Sequence, residues 1–134
     1  MGLIRIAILG STGSIGRSTL QVVSRHPERF EVVSLAANRR VDVLADQVSR
    51  FSPKRAVLAD LDVPRPSGGG VDWQSGREAL IALAADPEVD VVVNALVGAA
   101  GLEPTLTALE AGHRLALANK ESLVAGGDLV LEAA

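Results

Sequence analysis

The chain of 134 residues is long enough for one domain with a genuine core, and its 48% hydrophobic and 22% charged residues are ordinary for a soluble globular protein. Phe30, Phe51 and Trp73 are its aromatic residues and its net charge is −3, which speaks against base stacking and against nucleic acid as the main partner. The lack of cysteine excludes disulfides, thiolate ligands and a cysteine nucleophile, and suits a cytoplasmic protein.

The sequence opens on an expected strand, with no cationic leader or signal core before it. Leu3, Ile4, Ile6, Ala7, Ile8 and Leu9, interrupted by Arg5, read as a strand buried on both faces. Downstream, Leu20, Val22 and Val23, set among Arg17, Gln21, Ser24 and Arg25, read as a helix laid on that strand. Between them lies Gly10-Ser11-Thr12-Gly13-Ser14-Ile15-Gly16, a G-x-x-G-x-x-G variant of the dinucleotide fingerprint. A strand, a glycine-rich turn and a helix N-terminus in this order make an anion site, because the free N–H groups and the helix dipole both favour negative charge there. A pyrophosphate is the natural occupant. Gly10 lets the chain turn sharply, Gly13 lets the backbone approach a phosphate, and Gly16 lets helix and sheet pack tightly; Ser11, Thr12 and Ser14 add hydroxyl donors.

His26-Pro27-Glu28 breaks the helix, with His26 expected at the surface, and Phe30 to Ala36 reads as the second strand. In a dinucleotide-binding βαβ unit a carboxylate at this strand's tip holds the ribose 2′-hydroxyl of NAD, whereas a 2′-phosphate calls for cationic or small polar groups. Ala36-Ala37-Asn38-Arg39-Arg40 offers no carboxylate before Asp42, and two arginines can make charge-assisted bonds to a phosphate, which favours NADP. The competing reading of Arg39 and Arg40 is a solvated turn before the next helix.

Val41 to Phe51 has helical periodicity, with Asp42, Asp46, Gln47 and Arg50 assigned to the polar side. Ser52-Pro53 ends it, and Arg55 to Ala59 reads as the third strand. Asp60 to Ser75, rich in Pro and Gly, reads as a variable excursion in which Trp73 is a local packing anchor. The expected elements continue as a helix at Arg77 to Ala85, a strand at Val89 to Val93, a helix at Leu102 to Ala111 closed by Gly112, and a fifth strand at Arg114 to Ala118. Glu121 to Ala134 reads as largely helical with a break at Gly126-Gly127. The longest uncharged stretch in the apolar middle, Val91 to Leu102, is too short to span a bilayer. Five strands with intervening helices specify an α/β, Rossmann-like doubly wound parallel sheet, and ligands on such sheets lie outside the carboxyl ends of the strands.

At the fourth tip, Asn94 to Gly101 is small and apolar with one amide, suited to a wall beside a cofactor. The fifth tip gives Asn119-Lys120-Glu121. The chain has eleven Arg and two Lys, and an ammonium at Lys120 could hold an anionic or carbonyl oxygen of a substrate next to a nicotinamide. The alternative is a helix start, with Asn119 as N-cap and Glu121 favoured by the positive helix end.

Gly10 to Gly16, Asn94 to Gly101 and above all Leu117-Ala-Asn-Lys-Glu-Ser-Leu-Val124 resemble the N-terminal portion of the 1-deoxy-D-xylulose 5-phosphate reductoisomerase family, along the whole chain and in order. The resemblance implies an NADPH- and divalent-metal-dependent (Mg or Mn), homodimeric enzyme that rearranges 1-deoxy-D-xylulose 5-phosphate to an aldehyde and reduces it to 2-C-methyl-D-erythritol 4-phosphate, in non-mevalonate isoprenoid synthesis. It implies that Thr12, Gly13, Ser14 and Ile15 contact the NADPH phosphates, that Asn38, Arg39 and Arg40 lie at the 2′-phosphate, that Asn119 and Glu121 contact the cofactor, and that Lys120 contacts the sugar phosphate. Many members have a small residue, a variable or basic residue and then Asn where this chain has Asn-Arg-Arg, so the resemblance assigns the triplet rather than each contact. The family's acidic metal site, mobile loop and C-terminal helical domain are not found in this sequence, and Glu132-Ala133-Ala134 closes it inside a helical pattern without a cap. The expectation is therefore an NADPH-binding domain, residues 1–134, that binds cofactor without turning over substrate. Alternatives are the cofactor domain of another NADP reductase, similar to dihydrodipicolinate reductase, and a non-catalytic NADPH-sensing module. A short-chain dehydrogenase needs a Tyr and a semialdehyde dehydrogenase a Cys, and the chain has neither.

Overall fold

The structure, a computed structural model, describes residues 3–96, 101–117, 122–125 and 128–131, the last of these and residues 116–117 and 122–125 by their backbone. Its elements are β1 (Ile4–Leu9), α1 (Ser14–Arg25), β2 (Phe30–Ala37), α2 (Val41–Phe51), β3 (Arg55–Leu58), β4 (Asp72–Ser75), α3 (Arg77–Leu83), β5 (Val91–Asn94), α4 (Leu102–Glu110), β6 (Arg114–Leu117), β7 (Ser122–Ala125) and β8 (Asp128–Leu131). The strands form one sheet in the order β4-β3-β2-β1-β5-β6-β7-β8, parallel from β4 through β6 and antiparallel beyond. The order reverses direction at β1, where β2 lies on one side and β5 on the other, so a crevice opens at the tips of these strands.

Period-two alternation distributes each central strand between two cores. Ile6 and Ile8 share a cluster with Leu20 and Val23 of α1 and Leu44 of α2, while Ala7 and Leu9 share another with Leu80 and Leu83 of α3 and Ala108 of α4. The sheet is thus covered on both faces, as expected of a doubly wound fold. In β2 the alternation is reset by a bulge: Ile6 pairs with Val32 and Ala7 with Ser34, leaving Val33 over. Leu35 therefore joins Val32 on the α1/α2 side, and Ala36 joins Val33 on the other.

Two expectations are corrected. The excursion from Asp60 ends in a strand, β4, which pairs parallel to β3 from Arg55↔Asp72 to Leu58↔Ser75. An edge strand needs backbone partners on one side only, so Asp-Trp-Gln-Ser forms it without an apolar alternation; Trp73 packs on the α1/α2-side cluster, as an anchor. The expected C-terminal helix is two antiparallel strands, β7 and β8, in register from Ser122↔Leu131 to Ala125↔Asp128. The four-residue apolar segments on either side of Gly126-Gly127 are too short for stable helix, and Gly-Gly is a hairpin dipeptide.

The entry to α1 is set by close contacts. Gly10 has φ +86°, and a Cβ there would stand 3.0 Å from the backbone of Ala95. At Gly16 a Cβ would lie 2.3 Å from the Gly10 oxygen and 2.6 Å from Ser11 Cα. The replacement Gly16→Ala must therefore push the helix off the turn, and is expected to cost about 2–3 kcal/mol of stability in denaturant unfolding.

The amino ends of the strands carry an ion-pair network. Asp90 accepts from the Arg5 side chain, with Nη2 at 3.2 Å, and from its backbone N–H. Lys54 reaches Glu88 at 2.6 Å, and Arg55 bridges Asp86 at 2.6 Å and Glu88 at 2.9 Å. The hydrogen bond from Lys54, then that from Arg55, holds the Glu88 carboxyl far below its usual 4.5, at about 2. As pH falls below 4.5 the unfolded chain takes up this proton before the folded chain does, so the stabilisation is complete above that pH and is lost as pH drops towards 2. Denaturant unfolding at stepped pH should show that loss, and Glu88→Gln should flatten the profile over the same window.

Candidate functional site: a phosphate turn at the carboxyl edge of the sheet

The turn leaving β1 is anchored at its base: the N–H groups of Gly10 and Ser11 both donate to the Ala36 oxygen, at 2.8 and 2.9 Å. Beyond it, Gly13 is the N-cap residue of α1, and Arg17 N–H donates to its oxygen at 2.9 Å. The N–H groups of Ser14, Ile15 and Gly16, which precede Arg17, are those an α-helix leaves without intrahelical acceptors. No side chain caps this end of α1 and its first turn contains no acidic residue. Its partial positive charge is therefore not neutralised locally.

Gly13 differs from its two neighbouring glycines. A Cβ there would meet only the Gly10 oxygen, at 3.7 Å, an ordinary contact. The protein's own packing does not require glycine at this position, while Gly13, Ser14 and Ile15 are exposed in front of the helix end. An anion with bulky oxygens fits that open cradle. Thr12 is buried and Ser14 is exposed. Ser11, expected to add a donor, is instead fully buried and turned inward, its hydroxyl donating to Gln47 Oε1 at 2.7 Å. Gln47 Nε2 returns a bond to the Ser11 oxygen at 2.8 Å.

Helical periodicity puts Gln47 on the polar side of α2, yet it is 6% exposed. The sequence does hold a signal for it: Leu44, Gln47 and Val48 fall at i, i+3 and i+4, on one helix face, so an amide at 47 enters the core side and needs partners there.

The parallel pairing of β1 with β2 places Asn38, Arg39 and Arg40 on the same edge of the sheet as the glycine turn, all three exposed. Arg40 is the N-cap residue of α2, its oxygen accepting from Leu44 N–H at 2.9 Å. Arg39 Nε contacts Asp60 Oδ2 at 3.0 Å while its side chain stays 68% exposed. Asp60 in turn donates its N–H to the Asn38 oxygen at 3.0 Å. One face of a guanidinium is thus steadied by a carboxylate and the rest is left to solvent.

At the β5 tip Asn94 is 3% exposed, and its amide holds the start of α4: Nδ2 donates to the Gly101 oxygen and Thr105 Oγ1, both at 2.8 Å, and Oδ1 accepts from Leu96 N–H at 3.1 Å. Its polar groups therefore build the wall rather than face the crevice. Residues 97–100 and the triplet Asn119, Lys120 and Glu121 lie outside the described residues. Among the described residues no group of three or more His, Asp or Glu side chains comes together that could hold a metal ion. No helix among them is long and apolar enough to cross a membrane.

Residues 6–127 match the family model of 1-deoxy-D-xylulose 5-phosphate reductoisomerase. The enzyme of that name from Laribacter hongkongensis is 51% identical over 134 residues, covering 96% of this chain and 34% of the relative. The reductoisomerase from Zymomonas mobilis in complex with NADPH superposes with a TM-score of 0.82 at 40% identity, over 90% of this chain and 33% of that one. A DOX-P reductoisomerase in complex with NADPH, fosmidomycin and magnesium gives 0.78 at 40% identity, over 89% and 31%. The chain spans about a third of the length of the curated relatives it matches. With a match that runs from the first strand to the glycine pair, and a sheet that overlays on solved members, this chain belongs to the 1-deoxy-D-xylulose 5-phosphate reductoisomerase family.

Proposed function

We propose that residues 1–134 are the NADPH-binding domain of a 1-deoxy-D-xylulose 5-phosphate reductoisomerase. The observation that carries this is the uncapped end of α1 behind Gly13, an anion cradle that the protein itself leaves open. The Zymomonas mobilis neighbour, at 40% identity, is in complex with NADPH, which supports the same reading.

In this reading Thr12, Gly13, Ser14 and Ile15 hold the pyrophosphate, the free N–H groups of Ser14 and Ile15 among the donors, with Gly10 setting the turn. Asn38, Arg39 and Arg40 hold the 2′-phosphate, where a guanidinium contributes paired, charge-assisted bonds. Asn119 and Glu121 contact the cofactor and Lys120 the sugar phosphate. When bound, NADPH supplies the hydride that reduces the aldehyde formed by rearrangement of 1-deoxy-D-xylulose 5-phosphate, giving 2-C-methyl-D-erythritol 4-phosphate for isoprenoid synthesis. This chain's own part is to bind and orient: a fixed turn places the diphosphate across the switch point between β1 and its two neighbours. Among the described residues no three His, Asp or Glu side chains gather to hold a metal ion. Magnesium accompanies the DOX-P reductoisomerase complex, and its ligands are assigned to the part of the enzyme beyond this chain. The complete enzyme is read as a cytoplasmic homodimer acting on a small sugar phosphate, without nucleic acid or membrane partners.

Titration of the chain with NADPH and NADH tests the reading. NADPH should bind at least tenfold more tightly, and Arg39→Ala or Arg40→Ala should each reduce the preference by roughly tenfold while leaving NADH binding and folding in place. Equal affinity for the two nucleotides in the unsubstituted chain would remove the 2′-phosphate assignment. Incubated with NADPH, magnesium and 1-deoxy-D-xylulose 5-phosphate, the chain alone should form no product.

A further inference from the structure

The outer part of the phosphate turn has few supports of its own. Gly10 and Ser11 are tied to β2, but the next main-chain bond along the turn, from Gly13 N–H to the Gly10 oxygen, is long at 3.3 Å. Helix α1 gives little lateral support, because a groove of about 700 Å³, lined by Arg17, Leu20, Phe30, Val43, Gln47 and Phe51 among others, separates it from α2. The reciprocal pair of Gln47 with Ser11 crosses between α2 and the turn at the buried end of this space, with both bonds under 3 Å. It fixes one peptide plane in particular. The described chain contains no cis peptide bond. In a trans peptide the C=O and the following N–H point in opposite directions, so a Ser11 oxygen drawn towards Gln47 turns the Thr12 N–H away from α2.

We propose that Gln47 is a positioning residue for the dinucleotide: by holding the Ser11–Thr12 peptide plane it presents the Thr12 N–H, and the main-chain donors after it, to the pyrophosphate. The inference rests on the NADPH-binding reading given above and assigns its geometry to a side chain that touches no ligand. The same helix that supplies Gln47 begins at Arg40, so the pair also sets the distance between the diphosphate and the 2′-phosphate triplet. An amide is suited to the task because it donates to a carbonyl and accepts from a hydroxyl at once; a carboxylate or an apolar isostere does only one or neither.

The test compares NADPH with adenosine 2′-monophosphate, which carries the 2′-phosphate but no pyrophosphate. Gln47→Met keeps the side-chain length and removes both bonds; it should weaken NADPH roughly tenfold and change adenosine 2′-monophosphate by less than about twofold. Ser11→Ala removes only the hydroxyl bond and keeps the carbonyl held by Nε2, so it should weaken NADPH by a smaller factor, about threefold, and it serves alone if Gln47→Met does not fold. NADPH affinity unchanged in the folded variants, or both ligands weakened equally, would overturn the proposal by showing a generic structural role. An unsubstituted chain that binds no NADPH would overturn the functional reading and this inference together, whereas unaffected variants of a binding chain would overturn this inference alone.

Discussion

Helix α1 begins where it does because Gly16 lets it lie against the carbonyl of Gly10, closer than any side chain permits. That contact sets the direction of the helix relative to β1, and therefore the direction in which its first N–H groups look. The rest of the site is built around it. Gly10 turns the chain past Ala95, Ser11 is driven inward to Gln47, and Gly13 is left at the front with room before it. Three glycines at equal spacing thus answer to three different constraints, two imposed by the protein and one that the protein's own packing does not explain.

The sheet has two chemically distinct ends. At the amino ends of the strands, Arg5, Lys54 and Arg55 are matched by Asp86, Glu88 and Asp90, and the charges compensate one another. At the carboxyl ends the N-terminus of α1 has no side-chain cap, and the Arg39 guanidinium, paired with Asp60, stays largely exposed. The central strand β1, set between β2 and β5, separates the two ends by its full length.

Much of this was legible in the sequence. Long apolar runs and helical periodicity located β1, β2, β3, β5, β6 and all four helices to within about two residues, because each buries enough apolar surface to impose its own pattern. The strand β4 escaped notice because its sheet membership rests on backbone pairing with β3 and not on side-chain alternation. At the C-terminus, Leu-Val-Ala and Leu-Val-Leu segments suit helix and strand alike, and the register of β7 on β6 decided between them. In the site, the glycine spacing was readable and the fate of the polar side chains was not. Ser11, Gln47 and Asn94 look like surface or ligand-facing groups by type; the helix spacing hints at burial for Gln47 alone, and the fold supplies the partners, each other or the main chain.

The odd residue in β2 has a reach beyond its own position. Because Val33 is unpaired, everything after it is shifted by half a pleat, and the carbonyl of Ala36 falls where the turn after β1 can use it twice. Gaining one amino acid after Ser34 would be a frame error rather than a local flaw, turning Leu35 and Ala36 to exchanged sides, whereas losing Val33 would leave Leu35 opposite Ile8 and Ala36 opposite Leu9 in a regular strand. The same insertion among Gly68, Gly69 and Gly70, where an added Cβ would meet nothing within 4 Å, would be absorbed in place. Tolerance to indels in this chain should therefore be divided by pleat phase and not by distance from the glycine turn.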